Sequence, residues 1–154
     1  MTREVLTAAV EPEQGGLRFE VRGWPTGRLV IRGRLHGDPS AQGVWDSLEQ
    51  LRSAKFPSVE GAAQGIAAIA INAGCLMEEV YAFVAPRETS GVRACKLYVG
   101  ARRHPEVIYK HRPNSHGVRL VTIAVRDGGV DTLAALGDAA RQFAHTTSPV
   151  MGDS

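Results

Sequence analysis

The chain is 154 residues long, carries 18 basic and 16 acidic side chains for a formal charge of +2, and is 44% hydrophobic. These values are typical of a soluble globular domain and exclude a disordered chain, a collagen-like repeat and a disulfide-stapled mini-protein. The length favours one domain, which we place at residues 17–145. Residues 1–16 are expected to form a mobile acidic N-terminal tail, and residues 146–154 a loose C-terminal tail.

The sequence contains no segment that indicates export or a membrane. Residues 1–13 hold no apolar run of the kind that a signal peptide needs, and the uncharged stretch 61–77 is too short and too weakly apolar to span a bilayer. Cys75 and Cys95 lie in apolar stretches, which favours two reduced, buried thiols. We therefore expect a cytoplasmic protein without a membrane partner. The preference for arginine over lysine, with abundant alanine and glycine, indicates a GC-rich bacterial genome.

A β-hairpin is the clearest element of the sequence. Apolar and charged residues alternate over 17–22 and again over 28–35, which is the pattern of two strands with one buried face. Pro25 suits the first central position of the turn between them. Gly27 suits the left-handed residue that closes a three-residue loop.

The register of this hairpin follows from its apolar faces. Placing Val21 opposite Ile31 also places Phe19 opposite Gly33, and the apolar residues of both strands then share one face. A shift by one residue would set Phe19 against Arg32 and expose half of that face. The pattern therefore predicts one register.

Two helices are predicted next. Asp38 is a good helix cap and Pro39 a tolerated first residue, and apolar side chains at helical spacing extend this helix to about Ala54. A longer amphipathic helix is expected to begin after Ser58 and to end at Pro86. The small residues in its first half would let another backbone approach closely.

Three further strands and one helix complete the predicted fold. The strands cover 94–102, 105–111 and 118–126, and the third is apolar on both faces, as a central strand is. Asp131 caps the last helix, which extends to about residue 145. The order β-β-α-α-β-β-β-α predicts a single α+β domain with a mostly antiparallel sheet of about five strands. This order is similar in outline to that of profilin-like and roadblock-like modules, many of which are dimeric scaffolds, and we expect a homodimer on that analogy.

Charge is segregated along the chain. The hairpin, over 17–36, and the segment 91–119 are strongly basic, whereas the segment 37–90 is acidic. Arg18 and Arg34 lie opposite each other in the predicted register, and like charges across a strand pair repel. An anion must therefore offset them: solvent ions, the acidic helices of the protein itself, or a ligand.

The leading functional hypothesis is a small binding domain that recognises an anionic small molecule or an acidic protein surface through its arginine-rich sheet. The candidate ligand-binding residues are Arg22, Arg32, Arg34, Arg102 and Arg103. Nucleic acid is a weaker candidate partner, because the pI is 8.7 and few aromatic residues are interleaved with the basic ones. A regulatory or scaffold module that binds only proteins is a further alternative.

A second hypothesis is a cofactor-independent lyase, isomerase or hydrolase. Reactive side chains are densest between residues 102 and 112, where the candidate catalytic residues are His104, Glu106, Tyr109, Lys110 and His111. Histidine titrates near neutral pH and suits a general base, and basic neighbours favour its neutral form. The spacing of the histidines matches no metal motif, and no phosphate-binding or dinucleotide-binding loop is present, so neither a metal nor a cofactor is expected.

Overall fold

The structure is a computed structural model that describes residues 3–99, 106–110, 112–125 and 131–146, without the side chains of Glu106 and Thr146. In chain order its elements are β1 (Val5–Glu13), β2 (Gly16–Trp24), β3 (Arg28–His36), α1 (Gln42–Ser53), β4 (Phe56–Pro57), β5 (Ala63–Gln64), β6 (Ile66–Asn72), α2 (Met77–Val84), a 3₁₀ helix (Ala85–Ser90), β7 (Val92–Val99), β8 (Glu106–Tyr109), β9 (Val121–Val125) and α3 (Thr132–Thr146). None of the helices in these ranges is long and apolar enough to cross a membrane.

Seven strands form one mixed sheet within the described part of the chain, in the order β3-β2-β1-β6-β7-β9-β8. In its centre β1, β6, β7 and β9 run parallel to one another. At its sides β2, β3 and β8 pair antiparallel, and the short strands β4 and β5 form a separate hairpin. The fold is α+β, but the predicted element order and the mostly antiparallel sheet of about five strands are wrong.

The first error concerns the N-terminus, where residues predicted as a mobile tail form β1. This strand lies between β2 and β6, and its residues 6–10 are all buried. A strand that is covered on both faces needs no alternation of apolar and polar residues. Its sequence therefore lacks the pattern on which strand prediction depends, and the glutamates around it have the composition of a tail.

The second error concerns residues 58–86, where one long helix is predicted. The chain instead forms β5 and β6 there, and only the last part is the helix α2. Strand β6 is a run of alanine and isoleucine whose residues 68–71 are all buried. A short apolar run of this kind fits a buried strand as well as a buried helix, so periodicity alone does not separate the two.

The hairpin of β2 and β3 confirms the predicted register. Phe19 lies opposite Gly33, and Val21 lies opposite Ile31. The ring of Phe19 covers Gly33, where an added Cβ would lie only 3.1 Å from the ring. Gly27 has the positive φ, +81°, that its place in the loop requires. The later predicted strands and the last helix correspond to β7, β8, β9 and α3, with bounds that differ by a few residues.

Helices cover both faces of the sheet. Helices α1 and α2 pack on one face through Trp45, Leu48 and Val84, and α3 packs on the other through Leu136 and Phe143. All five side chains are buried. Full burial of a large apolar side chain contributes roughly 1.5–3 kcal/mol. Alternate residues of β1 and β6 belong to the two layers, so these strands form the centre of the molecule.

The two cysteines lie in different environments. Cys95 is in β7 among the residues that pack against α3, and burial raises the pKa of its thiol to about 12. Cys75 is exposed, so the prediction of two buried thiols is wrong for this residue.

Gly91 lies where the chain passes very close to its own backbone. It follows the 3₁₀ helix with a φ of +91°, and an added Cβ would lie 2.6 Å from the carbonyl oxygen of Ala67 in β6. Gly61 has nearly the same φ, +92°, but nothing lies within 4 Å of an added Cβ. The two glycines therefore separate the effect of left-handed backbone from the effect of close approach.

We expect Gly91→Ala to lower the free energy of unfolding by about 2–4 kcal/mol, because left-handed strain and backbone overlap act together. Gly61→Ala is the matched control and should cost only the strain, about 1–2 kcal/mol. Urea unfolding followed by circular dichroism measures both losses. Equal losses for the two variants would show that the contact with Ala67 is not tight.

Candidate functional site

The carboxyl ends of two central parallel strands meet at one edge of the sheet. Val10 of β1 lies opposite Ile71 of β6, so the residues that follow them, Glu11 and Asn72, are neighbours. Thr132, the first residue of α3, reaches the same place. Parallel sheets commonly bind their ligands at the carboxyl ends of the strands. This edge is therefore the candidate functional site.

Glu11 is the centre of this site. The side chains of Asn72 and Thr132 lie near its carboxylate and act on its pKa as hydrogen-bond donors do, by lowering it. Burial raises the pKa of Glu11 above its ordinary value of 4.5, and these two side chains and the charge of Arg18 oppose only part of that rise. A carboxylate kept partly desolvated at such an edge is typical of a functional group.

A turn that follows β6 fixes the orientation of Asn72. Its Oδ1 accepts a hydrogen bond from the N–H of Gly74 at 2.8 Å, so its amide nitrogen is the donor that faces Glu11. Asn72 thus offers Glu11 a hydrogen-bond donor rather than a second negative charge.

An N-terminal cap holds α3 at this edge. The carboxylate of Asp131 accepts a hydrogen bond from the N–H of Ala134 at 3.2 Å, which satisfies one of the unpaired donors of the first turn. Leu133 and Leu136 of the same helix are buried against the sheet. The cap and these contacts together place the hydroxyl of Thr132 beside Glu11.

A row of charged side chains continues from Glu11 across β2 and β3. Arg18 lies opposite Glu11, and Arg34 lies opposite Arg18. Glu13 bridges the two arginines, with one oxygen 2.7 Å from Nη1 of Arg34 and the other 3.5 Å from Nε of Arg18. The predicted anion is therefore a carboxylate of the protein itself, but it comes from β1 and not from an acidic helix.

Glu20 likewise forms ion pairs with two further arginines. Its oxygens lie 3.1 Å from Arg22 and 2.9 Å from Arg32. Arg22, Arg32 and Arg34, which were predicted to bind a ligand, thus lie on one face of the hairpin and each has a carboxylate partner. Glu20 is buried, with a side chain only 7% exposed, so loss of its arginines would leave an unpaired buried charge. The ion pairs of Glu13 are more exposed and contribute only about 0–1 kcal/mol, so a competing phosphate can replace that carboxylate.

Of the predicted catalytic residues, the structure describes the side chains of Tyr109 and Lys110. Tyr109 lies in β8, four strands from β1, a distance of about 19 Å. Its ring packs against Phe143 with 6.0 Å between the centroids, and burial raises its pKa. Lys110 is exposed next to it. The other predicted positions lie outside the described residues, namely His104, His111, Arg102, Arg103 and the side chain of Glu106.

Sequence reasoning missed Glu11 and Asn72, because it placed the first in a tail and the second in a helix. The sequence does contain a pattern that marks both residues. Each residue follows a short apolar run, Ala-Ala-Val before Glu11 and Ile-Ala-Ile before Asn72. Two such runs that end in polar residues indicate neighbouring strands with functional ends.

Comparison with known proteins points to one family. A family model described as terminase large subunit gpA, endonuclease domain, matches residues 2–146. No curated protein and no solved structure gives a significant match. The family match indicates a domain that acts on nucleic acid, which the sequence had favoured less. The hypotheses of a domain for small anions or acidic proteins, of a cofactor-independent small-molecule enzyme and of a scaffold are therefore wrong. The homodimer stays a prediction.

Nucleases often hold divalent cations between paired carboxylates. The described residues alone do not form such a centre, and residues 100–105 and 126–130, which follow β7 and β9, lie outside them. Glu11 is flanked by two neutral hydrogen-bond donors, and Asn72 turns its nitrogen, not its oxygen, towards the carboxylate. No three His, Cys, Asp or Glu side chains within the described ranges are placed to hold a metal ion. What Glu11 itself supplies is a carboxyl group that takes up a proton more readily than a surface glutamate does.

Glu11 and Glu49 have pKa values displaced in opposite directions. Glu49 in α1 binds Arg52 and Arg87 at 2.7 and 2.8 Å, and these contacts lower its pKa to about 2. A lowered pKa stabilises the fold above the ordinary value of 4.5, and that contribution is lost as the pH falls towards 2. A raised pKa destabilises the fold at neutral pH, and the penalty disappears as the carboxyl group is protonated.

We therefore expect Glu11→Gln to raise the Tm at pH 7, with a gain that disappears below about pH 4. Glu49→Gln should instead cost about 0.5–2 kcal/mol at pH 7 and flatten the dependence of stability on pH in the acid range. Thermal unfolding between pH 2 and pH 8 measures both. A lower Tm for Glu11→Gln at pH 7 would contradict the view that Glu11 is kept for function rather than for stability.

Proposed function

Because the chain belongs to the family of terminase large subunit gpA endonuclease domains, we propose that it acts on DNA in the packaging reaction of a terminase. The observation that carries the proposal is the family match over residues 2–146, which spans the edge where Glu11 meets Asn72 and Thr132. The DNA backbone lies across this edge and along the arginine row of β2 and β3.

The arginine row supplies the attraction for DNA. Arg18 is 48% exposed and Arg32 is 60% exposed, so a phosphate can approach either guanidinium without a change of fold. A guanidinium group can form two parallel hydrogen bonds with a phosphate, as it does with a carboxylate. DNA therefore takes over contacts that Glu13 makes in the free protein, whereas a phosphate at Arg32 binds the exposed part of a guanidinium that stays paired with the buried Glu20.

The groups described at this edge favour the binding of DNA over its rapid cleavage, because they attract a divalent cation only weakly. Glu11 is one carboxylate beside a neutral amide, and such a set attracts a divalent cation less than two carboxylates do. We propose that the chain binds DNA firmly and hydrolyses it slowly. The neutral amide of Asn72, in the place of a second carboxylate, keeps the rate of hydrolysis low.

Removal of single arginines tests the DNA surface. We expect Arg18→Gln and Arg32→Gln each to weaken the binding of a duplex oligonucleotide by about three- to tenfold and to reduce the slope of log affinity against log salt by about 1. Arg52→Gln is the control, because Arg52 lies in α1 on the other side of the sheet and carries the same charge. Fluorescence anisotropy at several salt concentrations gives both quantities. An equal loss for Arg52→Gln would show that only total charge matters.

Substitution of Asn72 tests the carboxyl edge. Asn72→Asp places two carboxylates side by side, so we expect a Tm about 2–8 °C lower in EDTA and a recovery in millimolar Mg²⁺ or Mn²⁺. We also expect faster nicking of supercoiled plasmid than by the unchanged protein. Asn114→Asp serves as control, since Asn114 lies in the turn before β9. If added Mg²⁺ or Mn²⁺ leaves the Tm of Asn72→Asp unchanged, this placement of the site is wrong.

A further inference from the structure

A cavity of about 360 Å³ opens at the amino end of β1, at the other end of the strand from Glu11. Val5 of the cavity and Glu11 are separated by about 20 Å along the strand. The cavity is lined by apolar surface from Val5, Trp24 and Pro25 and by the basic side chains of Arg3, Arg141 and His145. Its volume is in the range of ligand pockets, and nothing in the proposed DNA surface accounts for it.

Trp24 provides a fixed aromatic wall for this cavity. Its Nε1 donates a hydrogen bond to Oγ1 of Thr7 at 2.8 Å, which holds the ring in place. The guanidinium carbon of Arg141 lies 5.3 Å from the centre of the ring. A flat surface beside a cation is the arrangement on which an unpaired nucleobase stacks while its phosphate meets the charge.

The positive charge of the cavity is not neutralised from within. Arg28 on the same hairpin forms two hydrogen bonds with Glu4, at 3.0 and 2.9 Å. By contrast, no ion pair within the described ranges involves the three basic residues of the cavity. The negative end of the α3 dipole accounts for His145 in the last turn, but not for Arg3, which precedes β1.

We propose that this cavity binds a nucleotide, with the base on Trp24 and the phosphate against Arg3 and Arg141. The inference rests on the proposed function in one respect: the nucleotide belongs to an unpaired stretch of the DNA whose duplex part crosses the arginine row. The separation of the two sites matches about six base-pair steps of 3.4 Å. The chain thus holds DNA at both ends of β1.

Tryptophan fluorescence offers a direct test, because the two tryptophans of the chain differ in exposure. Trp45 is 4% exposed and its Nε1 donates to the carbonyl oxygen of Pro39, so its emission serves as an internal reference. We expect the mononucleotide dAMP and a hexathymidylate to quench the emission with saturation, and inorganic phosphate to leave it unchanged. Arg141→Gln should weaken the quenching by about tenfold, and Arg52→Gln should not change it. Trp24→Phe should abolish it.

The outcomes separate this proposal from the proposed function. Quenching by hexathymidylate at lower concentration than by dAMP supports a nucleotide within a DNA strand, and equal affinities place a free nucleotide in the cavity. No quenching under conditions where anisotropy shows duplex binding overturns the cavity proposal and leaves the DNA surface intact. Quenching that survives Arg141→Gln unchanged overturns it as well. If dAMP quenches while no DNA binds, the cavity stands and the proposed function falls.

Discussion

The parallel pairing of β1 with β6 is the constraint on which the rest of the structure depends. Both strands lie in the middle of the sheet, and helices cover them on both faces. Because their residues are buried on both sides, neither strand can shift its register without exposing apolar surface. The same pairing brings Glu11 beside Asn72 at the carboxyl edge. The position of the site is thus a consequence of how the core is packed.

The glutamates near the N-terminus have two different roles: some pair with the arginines of the hairpin, and one belongs to the site. Glu4, Glu13 and Glu20 each bind arginines of β2 or β3 and so allow five basic side chains to share one hairpin. Glu11 instead lies near neutral hydrogen-bond donors, and its pKa rises where that of Glu4 falls. Residues of one type thus have different chemistry because their neighbours differ.

The sequence was sufficient where the structure follows local patterns. The register of Phe19 and Val21 was predictable because that hairpin has one buried face and therefore alternates. The strands that contain Glu11 and Asn72 were not, because a strand buried on both faces shows only a short apolar run. The site was missed with them, since its residues meet only through a parallel pairing of strands far apart in the chain. Most of the predicted catalytic cluster near residue 104 lies outside the described residues, and Tyr109, which is described, packs against Phe143 in a strand four positions from β1.

If DNA binds at the carboxyl edge as proposed, the raised pKa of Glu11 couples that binding to the uptake of a proton. A phosphodiester that crosses the carboxyl edge brings negative charge towards Glu11, and like charge disfavours the ionised form of a carboxyl group. The approach of DNA therefore raises the pKa of Glu11 further, whereas Arg18 on the next strand opposes the rise. A second carboxylate in place of Asn72 would increase this repulsion unless a cation separated the charges. The neutral amide of Asn72 adds no such charge beside Glu11.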